Sequence, residues 1–273
     1  MGKTCGNRDR TAARNAVSDE IREVFRGAAD LILPYRCEIC GDVSDTEDRF
    51  GNYAVLYKNL YSQDPELHIC GKCLSSINVS EEDKRWFLCL SNPVGNDPCP
   101  GLALYMPFTY KGLVERAIPK IKFGGKIELA RLFGCLLGSA LSNEHISADL
   151  IVPVPLSQER LAERGFNQAS EIAYPVAKLN NIPFADDVLV RIKETKRQSE
   201  ITDINKRAFN VSGAFGVSDN WDVTGMTVIV VDDVVTSGAT LHEAAVALYN
   251  AGASKVLCAA FAGNRNVKNA EPF

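Results

Sequence analysis

Residues 227–240 read Thr-Val-Ile-Val-Val-Asp-Asp-Val-Val-Thr-Ser-Gly-Ala-Thr. The run 228–231 is β-branched and unbroken by polar residues, the pattern of a strand buried on both faces of a parallel sheet. Asp232 and Asp233 then fall at the carboxyl edge of that sheet, where ligands bind in open α/β folds. Beyond them Thr236, Ser237, Gly238, Ala239 and Thr240 are small enough to let a phosphate reach the backbone, and residues 241–251 have helical character. A helix N-terminus with free N–H groups binds phosphate. Carboxylates repel phosphate but accept hydrogen bonds from sugar hydroxyls, so the spacing asks for a phosphorylated sugar. The plainer alternative is a buried strand, an Asx-type turn and a helix capped by Thr240.

This segment resembles the signature of type I phosphoribosyltransferases. The resemblance implies that Asp232 and Asp233 hold the 2′- and 3′-hydroxyls of phosphoribosyl pyrophosphate (PRPP) and that the 236–240 turn holds its 5′-phosphate.

A second stretch, Ile151-Val152-Pro153-Val154-Pro155-Leu156, ends a buried strand in a proline-stiffened turn and is followed by Arg160, Arg164, Gly165, Phe166, Asn167 and Gln168. A pyrophosphate leaving group needs cationic donors and exposed N–H groups across the sugar from the 5′-phosphate. Arg164 beside Gly165 offers both, unless it is a surface arginine ahead of a helix capped by Asn167. Between residues 190 and 210 lie Arg191, Lys193, Thr195, Lys196, Arg197, Gln198, Lys206 and Arg207. This polar run reads either as a mobile basic lid over pyrophosphate or as a solvated face.

The chain has 273 residues, enough for two domains with separate cores. With 46% hydrophobic and 23% charged residues it has the composition of a soluble globular protein. No apolar stretch approaches a membrane span, and the charged first 25 residues lack the apolar core of a signal peptide, so a cytoplasmic protein is expected. A net charge of −4 argues against generic adhesion to nucleic acid but leaves room for local basic segments. In residues 1–30, Val17, Ile21, Val24 and Phe25 stand near helical spacing and predict a short amphipathic helix. Residues 31–101 hold cysteines and many turn formers; residues 102–273 alternate helix and strand. Leu129, Leu132, Phe133, Leu136, Leu137 and Ala140 form the stripe of a helix lying on a core. Strands are expected at 149–153, 188–191, 226–231 and 255–262, with helices at 157–163, 167–179 and up to 251. The fold class is therefore α/β, a mainly parallel sheet with helices on both faces. Pro119 and Pro175 interrupt helical patterns, which predicts helices that kink or begin there.

Nine cysteines in a cytoplasmic chain do not read as a disulfide framework. Cys37 and Cys40 form one C-x2-C pair, Cys70 and Cys73 another. Four thiolates suit a structural, tetrahedral Zn2+, against buried unliganded thiols or a redox pair. An inserted hairpin around Tyr53 to Tyr57 is expected to absorb the 29 residues between the pairs. Cys89 and Cys99 lack a second pair, His68 reads as a surface residue, and Cys5, Cys135 and Cys258 are isolated. Of these, Cys135 and Cys258 fall in core elements as small hydrophobes.

Val152 to Leu156, Arg164 to Gln168, the series Arg191, Thr195, Gln198, Arg207, Asn210, and the acid pair look like the ComF (competence protein F) family, in the same order over residues 105–263. The cysteine pairs resemble that family's zinc module. The resemblance implies a type I phosphoribosyltransferase fold with a small N-terminal module of four zinc-binding cysteines. It also implies a PRPP site of Pro155, Leu156, Arg164, Gln198, Asp232, Asp233 and residues 236–240, taking up Mg2+ with PRPP. The catalytic residues would be Asp232, Asp233 and Arg164. This chain departs from the family in its degraded second cysteine cluster, in Pro119 and in Ser237, where threonine is common. The implied activity is phosphoribosyl transfer to a nitrogen acceptor, selected by a hood built from the cysteine module or from residues near Tyr110. No general base stands out at His145 or His242. A different class stays open: a non-catalytic PRPP sensor or an accessory protein of DNA uptake, partnered by competence proteins. It would use the zinc module and basic loops on single-stranded DNA, with Tyr105, Phe108, Tyr110, Lys111, Lys120, Lys122, Phe123 and Lys126 as stacking aromatics among basic residues, although core packing explains most of them equally well. A partner-binding zinc protein without a ligand is the third reading.

Overall fold

The computed structural model of the chain describes residues 36–43, 52–62, 67–77, 86–89, 102–193, 213–263 and 268–269. The helix expected in residues 1–30, Cys5, Cys99 and the basic run from residue 194 onward, with Gln198, lie outside them. Two helices accompany the cysteine pairs, α1 (Asn52–Tyr61) and α2 (Gly71–Ser75). Strands β1 (Trp86–Cys89), β2 (Leu102–Tyr105) and β3 (Phe108–Thr109) precede helices α3 (Leu113–Gly124) and α4 (Ile127–Ser142). Then come β4 (Leu150–Pro153), α5 (Gln158–Arg164), α6 (Gln168–Asn180), β5 (Leu189–Arg191) and β6 (Phe215–Val217). Strand β7 (Thr227–Val235), helix α7 (Ala239–Asn250), β8 (Lys255–Gly263) and β9 (Lys268–Asn269) close the order.

The main sheet runs β4-β7-β8-β2-β1-β9, with β3 also on β8. Strands β4, β7, β8, β2 and β3 are parallel, whereas β1 lies antiparallel between β2 and β9. Side chains alternate across it with period two. Ile229, Val231, Leu257, Ala259 and Phe261 point into one apolar layer, and Val228, Val230, Val256, Cys258 and Ala260 into the other. Burial on both sides is why the sequence of β7 shows no alternation. The strand also runs four residues past its apolar part, because β8 supplies ladder partners opposite Asp232, Val234 and Val235. Hydrogen bonding of the backbone, not hydrophobicity, carries the strand through the acid pair.

Helices α4 and α6 cover the first layer, and the stripe from Leu129 to Ala140 is buried there. Their close approach depends on Gly134 and Gly138, where an added Cβ would meet α6 directly. The ring of Pro175 fits against Gly134, so α6 runs on through its proline instead of beginning there. Likewise α3 continues through Pro119, which sits on its exposed side. Helix α7 and the β5–β6 pair cover the other layer.

Two expectations change. Residues 53–57 lie in helix α1, not in a hairpin. Tyr57 and Tyr61 stand one turn apart with rings 4.6 Å from each other, and Arg131 of α4 lies 4.7 Å over Tyr61. Packing of this face on α4 overrides the strand preference of tyrosine. The sheet also reaches back across the composition break at 102, since β1 pairs with β2 from Trp86 to Cys89. An antiparallel edge strand needs none of the long apolar run that marks its parallel neighbours. Cys37, Ile39, Leu67, Ile69 and Cys73 belong to the same apolar cluster as Phe261. The cysteine region is thus packed into the layer that α4 and α6 cover.

Candidate active site

Strand β7 delivers Asp232 and Asp233 to the carboxyl edge, and the chain turns through Thr236, Ser237 and Gly238 into α7. Gly238 caps the helix at φ +79°, a left-handed conformation that glycine adopts without strain. The first turn of α7 carries no acid, so its dipole meets no carboxylate of its own there. Opposite this cradle, β4 ends at Pro153 and the chain continues through Val154, Pro155 and Leu156. Asn167 pins that turn: its Nδ2 donates to Val154 O (3.0 Å) while its Oδ1 accepts from Ala169 N (3.1 Å). Ser157 caps α5, which ends at Arg164 with Gly165 again left-handed. Arg164 Nη1 donates to Gln168 Oε1 (3.0 Å).

These elements enclose a cavity of about 370 Å3 lined by Pro155, Leu156, Arg164, Asp232, Asp233 and residues 236–240. All the expected sugar-phosphate residues except Gln198, which lies outside the described residues, are thus brought around one space. Arg160, Arg191 and Tyr110 line it as well. His145 is exposed on the loop after α4, and His242 is buried in α7 with Nδ1 3.9 Å from Glu243 Oε1; neither borders the cavity.

The two acids differ. Asp233 is nearly enclosed, its Oδ1 accepting from Val234 N (2.8 Å) and its Oδ2 paired with Lys122 Nζ at 2.7 Å. Asp232 Oδ1 accepts from the next backbone N–H, that of Asp233 (2.8 Å). Burial, reinforced by the Asp233 carboxylate, lifts Asp232 to about 7, against the pull of Lys122. Burial works against the charge of Lys122, yet Asp233 and Asp232 outweigh it and the net shift is upward.

Lys122 is the residue that reading the sequence places elsewhere. Its spacing marks only one more base among aromatics, yet α3 carries it, Pro119 and Phe123 to the cavity wall. Phe123 is exposed, with the Arg164 guanidinium 5.4 Å over its ring. Of the aromatics expected to stack on DNA, Tyr105 and Phe108 are core residues. No local signal brings Lys122 to Asp233; the contact exists only once α3 crosses the sheet edge.

Away from the cavity, the Sγ atoms of Cys37, Cys40, Cys70 and Cys73 all lie within 4.8 Å of one another. The Cys40 and Cys70 sulfurs are 3.7 Å apart, close to the ~3.8 Å edge of a tetrahedron with ~2.3 Å Zn–S bonds. Burial opposes charge on Cys37, but the N–H groups of Cys40, Cys70 and Ile39 overcome it and lower this thiol to about 6. Burial and the neighbouring sulfurs push Cys73 upward. The donor set therefore fits one soft, tetrahedral cation, which would let all four ionise. Glu38, inside the first pair, forms an ion pair of 2.9 Å with Lys126, just beyond the end of α3. As expected, Cys135 and Cys258 are buried core residues.

The phosphoribosyl transferase domain family matches residues 135–272, half of the chain. The chain belongs to that family and, within it, to the ComF group. It is similar to Competence protein ComFC of Bacillus subtilis, 32% identical over 53% of this chain and 57% of that one. It is also similar to Competence protein F of Haemophilus influenzae, 30% identical over 51% of this chain and 63% of that one. DNA utilization protein YhgH of Salmonella typhimurium is 27% identical over 68% of this chain and 74% of that protein. The chain spans less than two thirds of the Bacillus and Haemophilus relatives. Among the described residues no helix is long and apolar enough to cross a membrane.

Proposed function

We propose that the chain binds PRPP with Mg2+ in the cytoplasm and transfers its phosphoribosyl group to a nitrogen acceptor. The observation that carries this is the acid pair at the end of β7 beside the α7 cradle, with Arg164 across the same cavity. The 236–240 turn takes the 5′-phosphate on backbone N–H groups. Asp232 and Asp233 accept from the ribose diol and orient it, and Pro155 and Leu156 form the floor of the opposite wall. Mg2+, a hard cation that binds phosphates with few protein ligands, would when bound with PRPP supply charge neutralisation for the pyrophosphate. Arg164 stabilises the same charge by fixed hydrogen bonds, and enclosure keeps water from the electron-poor sugar. Calorimetric titration of PRPP with and without Mg2+ tests the reading. Mg2+-dependent binding is the expected result, and absence of binding in both conditions sinks it.

A second reading rests on the printed names of the relatives, competence and DNA utilization proteins: an accessory role in DNA uptake, with PRPP as a sensed ligand and single-stranded DNA as partner. Phosphate contacts are strongest at low salt. Fluorescence anisotropy of a labelled single-stranded oligonucleotide that shows no binding at low salt removes it.

The four cysteines are proposed to hold one structural Zn2+. Because Cys37 and Cys73 sit in the main apolar cluster, metal loss is felt beyond the module. Cys40→Ser is expected to abolish stoichiometric zinc in atomic emission and to lower the melting temperature by roughly 10 °C, taking a loss of about 3 kcal/mol. Equal melting with and without metal contradicts the assignment.

A further inference from the structure

The pairing of Lys122 with Asp233 leaves one ammonium with more to do. Asp233 Oδ2 meets Lys122 Nζ at 2.7 Å, and an ammonium has three N–H donors. Lys122 borders the cavity and its side chain retains a quarter of its exposure, so the donors not used by Asp233 face the space a ligand fills. A cation held by a nearly enclosed carboxylate is fixed in place, unlike a surface lysine whose four-carbon stem wanders. Arg164 stands near enough to oppose its charge. Two cations converging on one cavity repel each other until an anion arrives between them. Gln168, which accepts from Arg164, is 2% exposed, and its Nε2 meets no acceptor among the described residues. A polyanion at this wall would find a lysine and an arginine together, the arginine held in place by the buried Gln168.

We propose that Lys122 is a pyrophosphate-binding residue of this site, oriented by Asp233, so that the second acid of the pair serves the leaving group as well as the ribose. The inference rests on the PRPP reading for the identity of the sugar, but its own ligand is the diphosphate. On arrival of PRPP Asp233 Oδ2, buried against Lys122, keeps the ammonium, and the ribose hydroxyl is left to the other carboxylate oxygen, Oδ1. The ammonium turns its remaining N–H groups to the pyrophosphate oxygens. No proton changes hands; the lysine stays charged, supported by two carboxylates.

The test uses the full chain and two probes, inorganic pyrophosphate and ribose 5-phosphate, with PRPP alongside them, each titrated calorimetrically with Mg2+ into wild type, Lys122→Met and Lys122→Arg. Loss of a charge-assisted contact predicts at least about a tenfold fall in pyrophosphate affinity for Lys122→Met. Ribose 5-phosphate affinity should stay within about twofold, and Lys122→Arg should recover part of the loss. Circular dichroism melting establishes that each variant is folded; should Lys122→Met not fold, the comparison is made with Lys122→Gln. Unchanged pyrophosphate affinity overturns the proposal. So does an equal loss of both probes, which would make Lys122 a support for Asp233 alone. Wild type that binds pyrophosphate through Lys122 but not PRPP removes the sugar reading and keeps this one. PRPP binding indifferent to Lys122 does the reverse, and a wild type that takes neither ligand overturns both.

Discussion

Gly134→Ala should destabilise the protein by about 2 kcal/mol, although alanine is the better helix former. The Cβ it adds would stand 2.5 Å from Ile172 O, 2.8 Å from Pro175 Cγ and 3.0 Å from Ile172 Cα. Two of these atoms are backbone and the third is a ring fixed in α6, so nothing nearby gives way by a rotamer change. Relief requires α4 and α6 to separate, and overpacking of this kind costs roughly 3 kcal/mol. Helix propensity returns about 1 kcal/mol. The clash wins, and a fall in melting temperature of several degrees follows. Gly124→Ala is the control: its new Cβ meets only Lys120 Cβ at 3.8 Å and Lys126 Cγ at 3.9 Å, ordinary contacts. Thermal melts in which Gly134→Ala matches or exceeds wild type would mean that α4 and α6 do not approach as described.

That pair of positions shows where sequence reading stops. The stripe from Leu129 to Ala140 announces a helix on a core because it is written along one element with period 3.6. Gly134 and Gly138 sit within the same helix, yet their meaning depends on the ring of Pro175 and the carbonyl of Ile172, which belong to a different helix further along the chain. Pro175 itself looks like an interruption in one dimension and is a filler in three. The same limit applies to the site. The cradle, the acid pair and Arg164 are legible because each is encoded within a short run at the end of one strand. Lys122 is not, since α3 reaches the acids only across the edge of the sheet. Helix α1 is hidden for a related reason: Tyr57 and Tyr61 are helical by virtue of packing on Arg131 and α4, against the preference of tyrosine for strands. The strand end past Val231 is illegible because ladder partners, not apolar residues, sustain it.

The module and the site also meet on α3. Lys122 holds Asp233, and four residues on Lys126 holds Glu38 between two of the zinc-type cysteines. One helix end thus touches both features. Exposed ion pairs contribute little to stability, and the Glu38 contact, with Lys126 partly exposed, is of that kind. The turn at Gly125, with φ +65°, lets the chain leave the helix in that direction.

The two acids should part company when they are replaced singly. Asp232 is the strained member: burial and its neighbour raise it from 3.8 to about 7. A carboxyl whose folded value is raised contributes stability below its unfolded value, and that contribution is lost as pH rises through the folded one. The empty protein should therefore lose stability between about pH 4 and pH 7 on this account, and Asp232→Asn should flatten that slope and melt higher at about pH 8. Asp233→Asn does the opposite, because it leaves the Lys122 ammonium beside a neutral amide. A loss of about 1–3 kcal/mol is expected, within the range for an unmet partner of a charged group. For the ligand both acids matter alike. On the proposed reading each accepts from a ribose hydroxyl, and loss of two charge-assisted hydrogen bonds at about 1.5–3 kcal/mol each should make the double variant bind PRPP at least about 100-fold more weakly. Asp232→Asn alone, more stable at about pH 8 yet weaker in binding, would mark an acid retained for its ligand, and the destabilised Asp233→Asn one retained for the fold as well. Full PRPP affinity in folded Asp232→Asn/Asp233→Asn would show that the diol is held elsewhere, and the sugar-phosphate reading of this edge would fall with it.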